Sequence, residues 1–186
     1  MLNFLSPAEM FAQSMFIAAE SHMFQVDKNG MPYILHPLTV AITVASDDLE
    51  VRAAAVLHDV IEDSKRHTLE KLLDRGFTEN GLMHEVIKRN KKYTIESLRE
   101  LGYSERVLTI LTILTHDKSE SYDDYITRIC TNYDCILIKM ADITHNTAVY
   151  RQKGETADDH ARLIKYFKAY KRLEAAKAAF ESCIIH

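Results

Sequence analysis

Apolar positions recur at three- and four-residue spacing, the period of a helix face, in segment after segment of the chain. Ser6-Pro7-Ala8-Glu9 sets a serine N-cap, a proline in the first turn and a glutamate at the third helical position. That capping box predicts a helix to about Met23, with Phe11, Met15, Ala18, Ala19 and His22 as its inner stripe. Residues 26–33 carry the polar, glycine and proline punctuation of a loop, after which His36-Pro37 starts a second helix with Leu38, Ile42 and Ala45 facing inward. Asp47 with Glu50 caps a third helix, apolar almost all round from Val51 to Ile61 and therefore expected at the centre. Its end turns polar, with His58, Asp59, Glu62 and Asp63.

Residues 68–77 and 94–103 resemble each other at an offset of 26, each a short helix stopped by a glycine. The basic run from Lys88 to Lys92 lies between them, and the stretch from about 66 to 103 is expected to be a helical insertion. Two amphipathic helices follow over residues 104–115 and 121–132. The apolar run 135–141 is strand-like locally, but it continues through Asp142 and Asn146 and has no partner strand elsewhere, which favours a helix. Thr156 with Asp159 caps a last helix over about 157–182, with Ala161, Ile164, Phe167, Tyr170 and Leu173 on one side. The fold class expected is all-α, a single helical bundle spanning residues 1–186 with that small insertion.

Composition agrees: glycine and proline supply only eight of 186 residues, too few for the tight turns of a sandwich or barrel. A net charge of −4 provides no global field for nucleic acid or an anionic membrane, so a phosphorylated ligand must be held locally. Cys130, Cys135 and Cys183 are odd in number and form no CxxC pair, which suits free thiols filling the core in a reducing compartment. With no apolar run long enough for a membrane span and no basic start before one, a cytoplasmic protein is expected. No sequence feature sets an oligomeric state.

The chemistry concentrates where the central helix ends. His58 and Glu62 are four residues apart, as are Asp59 and Asp63, so the four side chains occupy adjoining rows of one helix face. Three carboxylates at the C-terminal end of a helix oppose its dipole and repel one another unless a cation shares them. A solvated helix end is the plain alternative, but these residues directly follow the most core-like stretch of the chain. Asp142 and Asn146 form a second polar pair at i, i+4, with Lys139 one turn earlier. Taken with His36, two imidazoles and two carboxylates make a mixed nitrogen and oxygen donor set suited to Mn²⁺, Fe²⁺ or Zn²⁺.

Three ordered segments then resemble a known family. His36, the pair His58-Asp59 and Asp142 are similar to the H…HD…D signature of HD-domain metal-dependent phosphohydrolases. More narrowly, residues 30–37, 57–63 and 139–146 resemble the G-x-PYIxHP, LHDxxED and K-x-AD-x-x-HN motifs of RelA/SpoT-type hydrolases, which remove the 3′-pyrophosphate of (p)ppGpp. The resemblance implies an HD-domain bundle in which His36, His58, Asp59 and Asp142 hold one Mn²⁺ and Glu62 and Asp63 are the catalytic carboxylates. It further implies that Lys28, Lys139 and Asn146 contact a phosphorylated nucleotide that is hydrolysed by a metal-activated water. Relatives acting on a nucleoside monophosphate or a nicotinamide dinucleotide phosphate, and non-catalytic nucleotide sensors, share the scaffold. Asp27 stands where the family has an arginine beside Lys28, Ile143 replaces another after Asp142, and the run Thr147-Ala148-Val149 lacks a third. Those departures imply weakened contact with a guanine nucleotide. His116, His145 and His160 are expected in structural or surface roles.

Overall fold

A computed structural model describes residues 4–63, 72–73, 76, 78, 81, 93–148 and 156–184. Among them the chain is helical throughout, its one β-type contact being an isolated bridge between Val26 and Pro32. The helices are α1 (Pro7–His22), α2 (Leu35–Thr43), α3 (Leu49–Leu57), α4 (Val60–Asp63), α5 (Ile95–Glu100), α6 (Glu105–Leu114), α7 (Tyr122–Ile129), α8 (Tyr133–Thr147) and α9 (Ala157–Ile184). The first copy of the repeat falls largely outside the described residues, as does the basic run from Lys88 to Lys92. The second copy is α5, capped by Thr94 and ended by Gly102, whose φ of 92° suits a residue without a Cβ.

Serine, threonine, aspartate and asparagine caps begin most of the described helices, those at Ser6 and Thr156 as expected, whereas α2 starts after Ile34 with no side-chain cap. Ser6 and Glu9 exchange hydrogen bonds at the head of α1, and Ser104, Ser121 and Asn132 cap α6, α7 and α8. The cap of α3 is Asp48 rather than Asp47, which instead pairs with Arg52. The apolar run 135–141 is helical, within α8.

α3 is the axis of the bundle. It touches α1, α2, α6 and α8, and Val51 and Ala53 to Leu57 are all buried in one continuous core with Leu108, Leu111, Ile136 and Leu173. Three successive alanines keep α3 slim, so that neighbours can approach it from every side. α8 lies beside it, in contact with α2, α3, α6, α7 and α9.

Several inner faces differ from the expected ones. On α1 the buried row is Met10, Ser14, Ile17, Ala18 and Ser21, while Met15 is exposed, because the Ser14 hydroxyl is satisfied inside by Met10 O at 2.7 Å and Tyr103 Oη at 3.1 Å. On α2 Val40 and Ala41 face inward and Ile42 points to solvent. On α9 Ala169 and Leu173 are buried with Tyr166 and Tyr170 beside them, whereas Ile164 and Phe167 are 57% and 65% exposed. Of the cysteines only Cys135 is a core residue; Cys130 is half-buried and Cys183 is exposed.

Leu111→Ala, in the fully buried layer, should lower the unfolding free energy by about 2–5 kcal/mol, and Ser6→Ala at the α1 cap by about 1 kcal/mol. Urea titrations with an unchanged slope would register both. Equal losses in the two variants would contradict this division between core and cap.

Candidate metal centre

Three helices converge on one point. His36 occupies the first turn of α2, His58 and Asp59 form the turn between α3 and α4, and Asp142 lies two-thirds along α8. His36, His58 and Asp142 are only 2%, 5% and 5% exposed, and each offers a ligand atom within 4.8 Å of the other two. His36 Nε2 is 3.2 Å from Asp142 Oδ1 and 3.5 Å from Asp59 Oδ2, and His58 Nε2 is 3.2 Å from that Asp59 oxygen. The four expected ligands are therefore brought together.

These donors fit a divalent cation. His58 has Nδ1 2.8 Å from Ala55 O, which places a proton there and leaves Nε2 facing the centre, buried and without a hydrogen-bond partner. Burial pushes the Asp59 and Asp142 carboxyls up, but His58 beside the first and Lys139 beside the second hold both well below the usual carboxylate range. Burial likewise disfavours a charged His58, yet Asp59 and Asp142 overcome it and raise its pKa to about 9.

A second ring of contacts orients the first. Tyr33 Oη donates to Asp59 Oδ2 at 2.6 Å, and Asp142 accepts from Lys139 Nζ at 2.8 Å and Asn146 Nδ2 at 2.6 Å. Gln25 Nε2 donates to Asp63 Oδ2 at 2.9 Å while its Oε1 lies 2.9 Å from His22 Nδ1. Glu62 is exposed to the adjoining cavity, and its Oε1 accepts the His116 backbone N–H at 2.5 Å. Partial withdrawal from water raises the Glu62 pKa against the lowering effect of that hydrogen bond.

Comparison with known proteins matches residues 15–178 to the family described as HD domain. The chain belongs to the HD domain family. It is 30% identical over 160 residues to the bifunctional (p)ppGpp synthase/hydrolase SpoT of Escherichia coli, an alignment covering 82% of this chain and 19% of that protein. It is 47% identical over 57 residues to the guanosine-3′,5′-bis(diphosphate) 3′-pyrophosphohydrolase of Vibrio cholerae, covering 30% of this chain and 8% of the relative. The chain thus spans a fifth or less of the length of these relatives. A solved structure described as a metazoan ortholog of SpoT that hydrolyses ppGpp shares the fold, with a TM-score of 0.61 and 20% identity over 95% of both chains.

Asp59 and Asp142 line a cavity of about 430 Å³, and with His58 they line a second of about 250 Å³. Lys28, Lys139, Asn146, Glu62 and Asp63 line the larger one, so every substrate-contacting residue expected from sequence reaches it. Three further residues come from α9: Arg162 and Tyr166 in the larger cavity, and Lys165 in the smaller, over the Tyr122 ring at 4.3 Å. Sequence reasoning missed them because α9 carries no motif. His145, expected to be structural, meets His36 nitrogen to nitrogen at 2.6 Å, and His116, expected likewise, holds Glu62 through its backbone.

Chelator-treated protein of this HD domain should take up about one divalent ion per chain, and His58→Ala or Asp142→Ala should abolish that uptake. With its pKa raised to about 9, protonated His58 adds stability that is complete below pH about 6.5 and lost as pH rises through 9. Chelated protein should therefore lose melting temperature across that window and release protons when the ion binds at pH 7. Elemental analysis and calorimetry in two buffers would measure both; full metal content in the two variants would exclude this shell.

Proposed function

We propose that the protein is a metal-dependent phosphohydrolase that removes the 3′-pyrophosphate of a (p)ppGpp-type nucleotide. The observation that carries this reading is the meeting of His36, His58, Asp59 and Asp142 with Glu62 and Asp63 beside a cavity whose wall bears Lys28, Lys139 and Arg162. The activity named for the curated relatives supports the same reading.

His36, His58, Asp59 and Asp142 would hold the ion. Two imidazoles and two carboxylates favour Mn²⁺, with Fe²⁺ or Zn²⁺ compatible with the same donors. Such an ion, when bound, lowers the pKa of water and polarises phosphoryl oxygens. Glu62, fixed at one oxygen by the His116 N–H, accepts the proton of the attacking water, and its raised pKa brings it nearer the pH at which a base works well. Asp63, held by Gln25, sets a second carboxylate beside it. Lys28, Lys139, Arg162 and the Asn146 amide take the phosphates and sugar. The same cavity is lined by Asp27, Asp59, Glu62, Asp63 and Asp142, so carboxylates outnumber the cations and a polyanion depends on the metal's charge to enter. A cytoplasmic setting, in which the three free thiols stay reduced, accords with a nucleotide substrate.

Arg162 adds a cation for a phosphorylated nucleotide that the motifs did not supply. It brings a guanidinium, which donates to Asp159 at 2.9 Å, from α9 to the same cavity that Asp27 and Lys28 line. Asp27 also shapes its own loop, because its Oδ1 accepts the backbone N–H groups of Asn29 and Met31 at 2.8 Å and 3.0 Å and so closes the turn that presents Lys28.

Metal-loaded protein should release pyrophosphate from (p)ppGpp, and Glu62→Gln should reduce turnover by roughly 10²-fold or more with metal content unchanged. Ion chromatography of products against a panel including nucleoside monophosphates and NADPH checks this. Phosphate released only from NADPH or a monophosphate would overturn the substrate.

Asp27→Asn keeps the turn's acceptor while removing the charge, so kcat/KM for a polyanionic nucleotide should rise by roughly tenfold at low salt. The gain should shrink as salt screens it. A loss instead of a gain, at constant metal content, would mean that Asp27 serves the substrate rather than repelling it.

A further inference from the structure

His145 lies one turn beyond Asp142 on α8 and is buried. Its ring lies edge to edge with that of His36, centroids 4.9 Å apart and planes 17° from parallel, and the two Nδ1 atoms are 2.6 Å apart. Two imidazole nitrogens at that separation share a single proton, so one ring donates and the other accepts. α8 thus meets both nitrogens of His36: Asp142 Oδ1 stands 3.2 Å from Nε2, and His145 stands at Nδ1. His58 settles the same question with a backbone carbonyl, that of Ala55, which no side-chain substitution removes. At His36 the equivalent partner is a side chain.

We propose that His145 is a positioning residue for the metal centre: by accepting the His36 Nδ1 proton it fixes the tautomer and ring plane in which His36 Nε2 can ligate a divalent cation. This rests on the metal-centre reading given above. The neutral imidazole has one protonated nitrogen, so a proton held at Nδ1 leaves the Nε2 lone pair facing Asp59 and Asp142. Without an acceptor at Nδ1, the proton is free to move to Nε2 and block the ligand position. Packing alone does not require the pairing, since an apolar side chain fills the same space and leaves His36 Nδ1 without its partner.

The test uses the whole chain stripped with chelator, Mn²⁺ for affinity and ¹⁵N-histidine spectra for the proton. His145→Leu should weaken Mn²⁺ binding by about 10- to 100-fold, and His145→Asn, which sets an acceptor oxygen near the place of Nδ1, should recover it to within about threefold. Spectra of the native protein and of His145→Asn should show the His36 proton on Nδ1; in His145→Leu it should move to Nε2. His58→Ala serves as the control for the centre itself. Native affinity in His145→Leu alongside lost affinity in His58→Ala would overturn the proposal and leave the centre standing. Unchanged affinity in both would overturn the centre and the proposal together. Should His145→Leu fail to fold, native spectra decide alone, and a shared proton residing on His145 would overturn the assignment.

Discussion

Setting Asp59 and Asp142 against His36 and His58 withdraws ionisable groups from water at the junction of three helices, and the neighbouring structure answers that cost. Lys139 and Asn146 divide the two oxygens of Asp142 between them, and Tyr33 takes an oxygen of Asp59. The slim, alanine-rich α3 allows α2 and α8 to close on its end, which brings residues more than 80 positions apart within ligand distance. Exchange any one of these side chains for an apolar group and a buried carboxylate oxygen loses its donor.

The groups proposed for catalysis and binding then occupy the rim of this buried centre. Glu62 and Asp63 leave the core with the short α4 helix, and each is steadied by a partner from another part of the chain, His116 N–H and Gln25. Arg128 supports the first of these indirectly. Its guanidinium binds the carbonyls of Thr112, Ile113 and Thr115 and the carboxylate of Glu120, which ties the end of α6 to the loop that carries His116.

Features that depend on neighbours along the chain are legible in the sequence. The caps at Ser6 and Thr156 and the helical state of residues 135–141 follow from local rules, whereas the single helix expected through His58 to Asp63 is broken at His58 and Asp59. Features that depend on a distant partner are not. Ser14 faces the core because Met10 O accepts its proton and Tyr103 Oη, 89 positions away, lies 3.1 Å from its oxygen, so hydropathy turns the α1 face the wrong way. Arg162 looks like any charge on a solvent face until α9 is laid beside the cavity, and Phe167 looks like a core residue until the same helix turns it outward. His145 carries no signal apart from the ring it touches.

The order of the elements along the chain gives the site a history as well as a shape. All four candidate metal ligands lie between residues 36 and 142, whereas Arg162, Lys165 and Tyr166 belong to the helix that follows. During synthesis from the N-terminus the ligands leave the ribosome first and the cationic wall last. The candidate centre is therefore complete in sequence while one side of its cavity is still open, before the closing helix adds that wall.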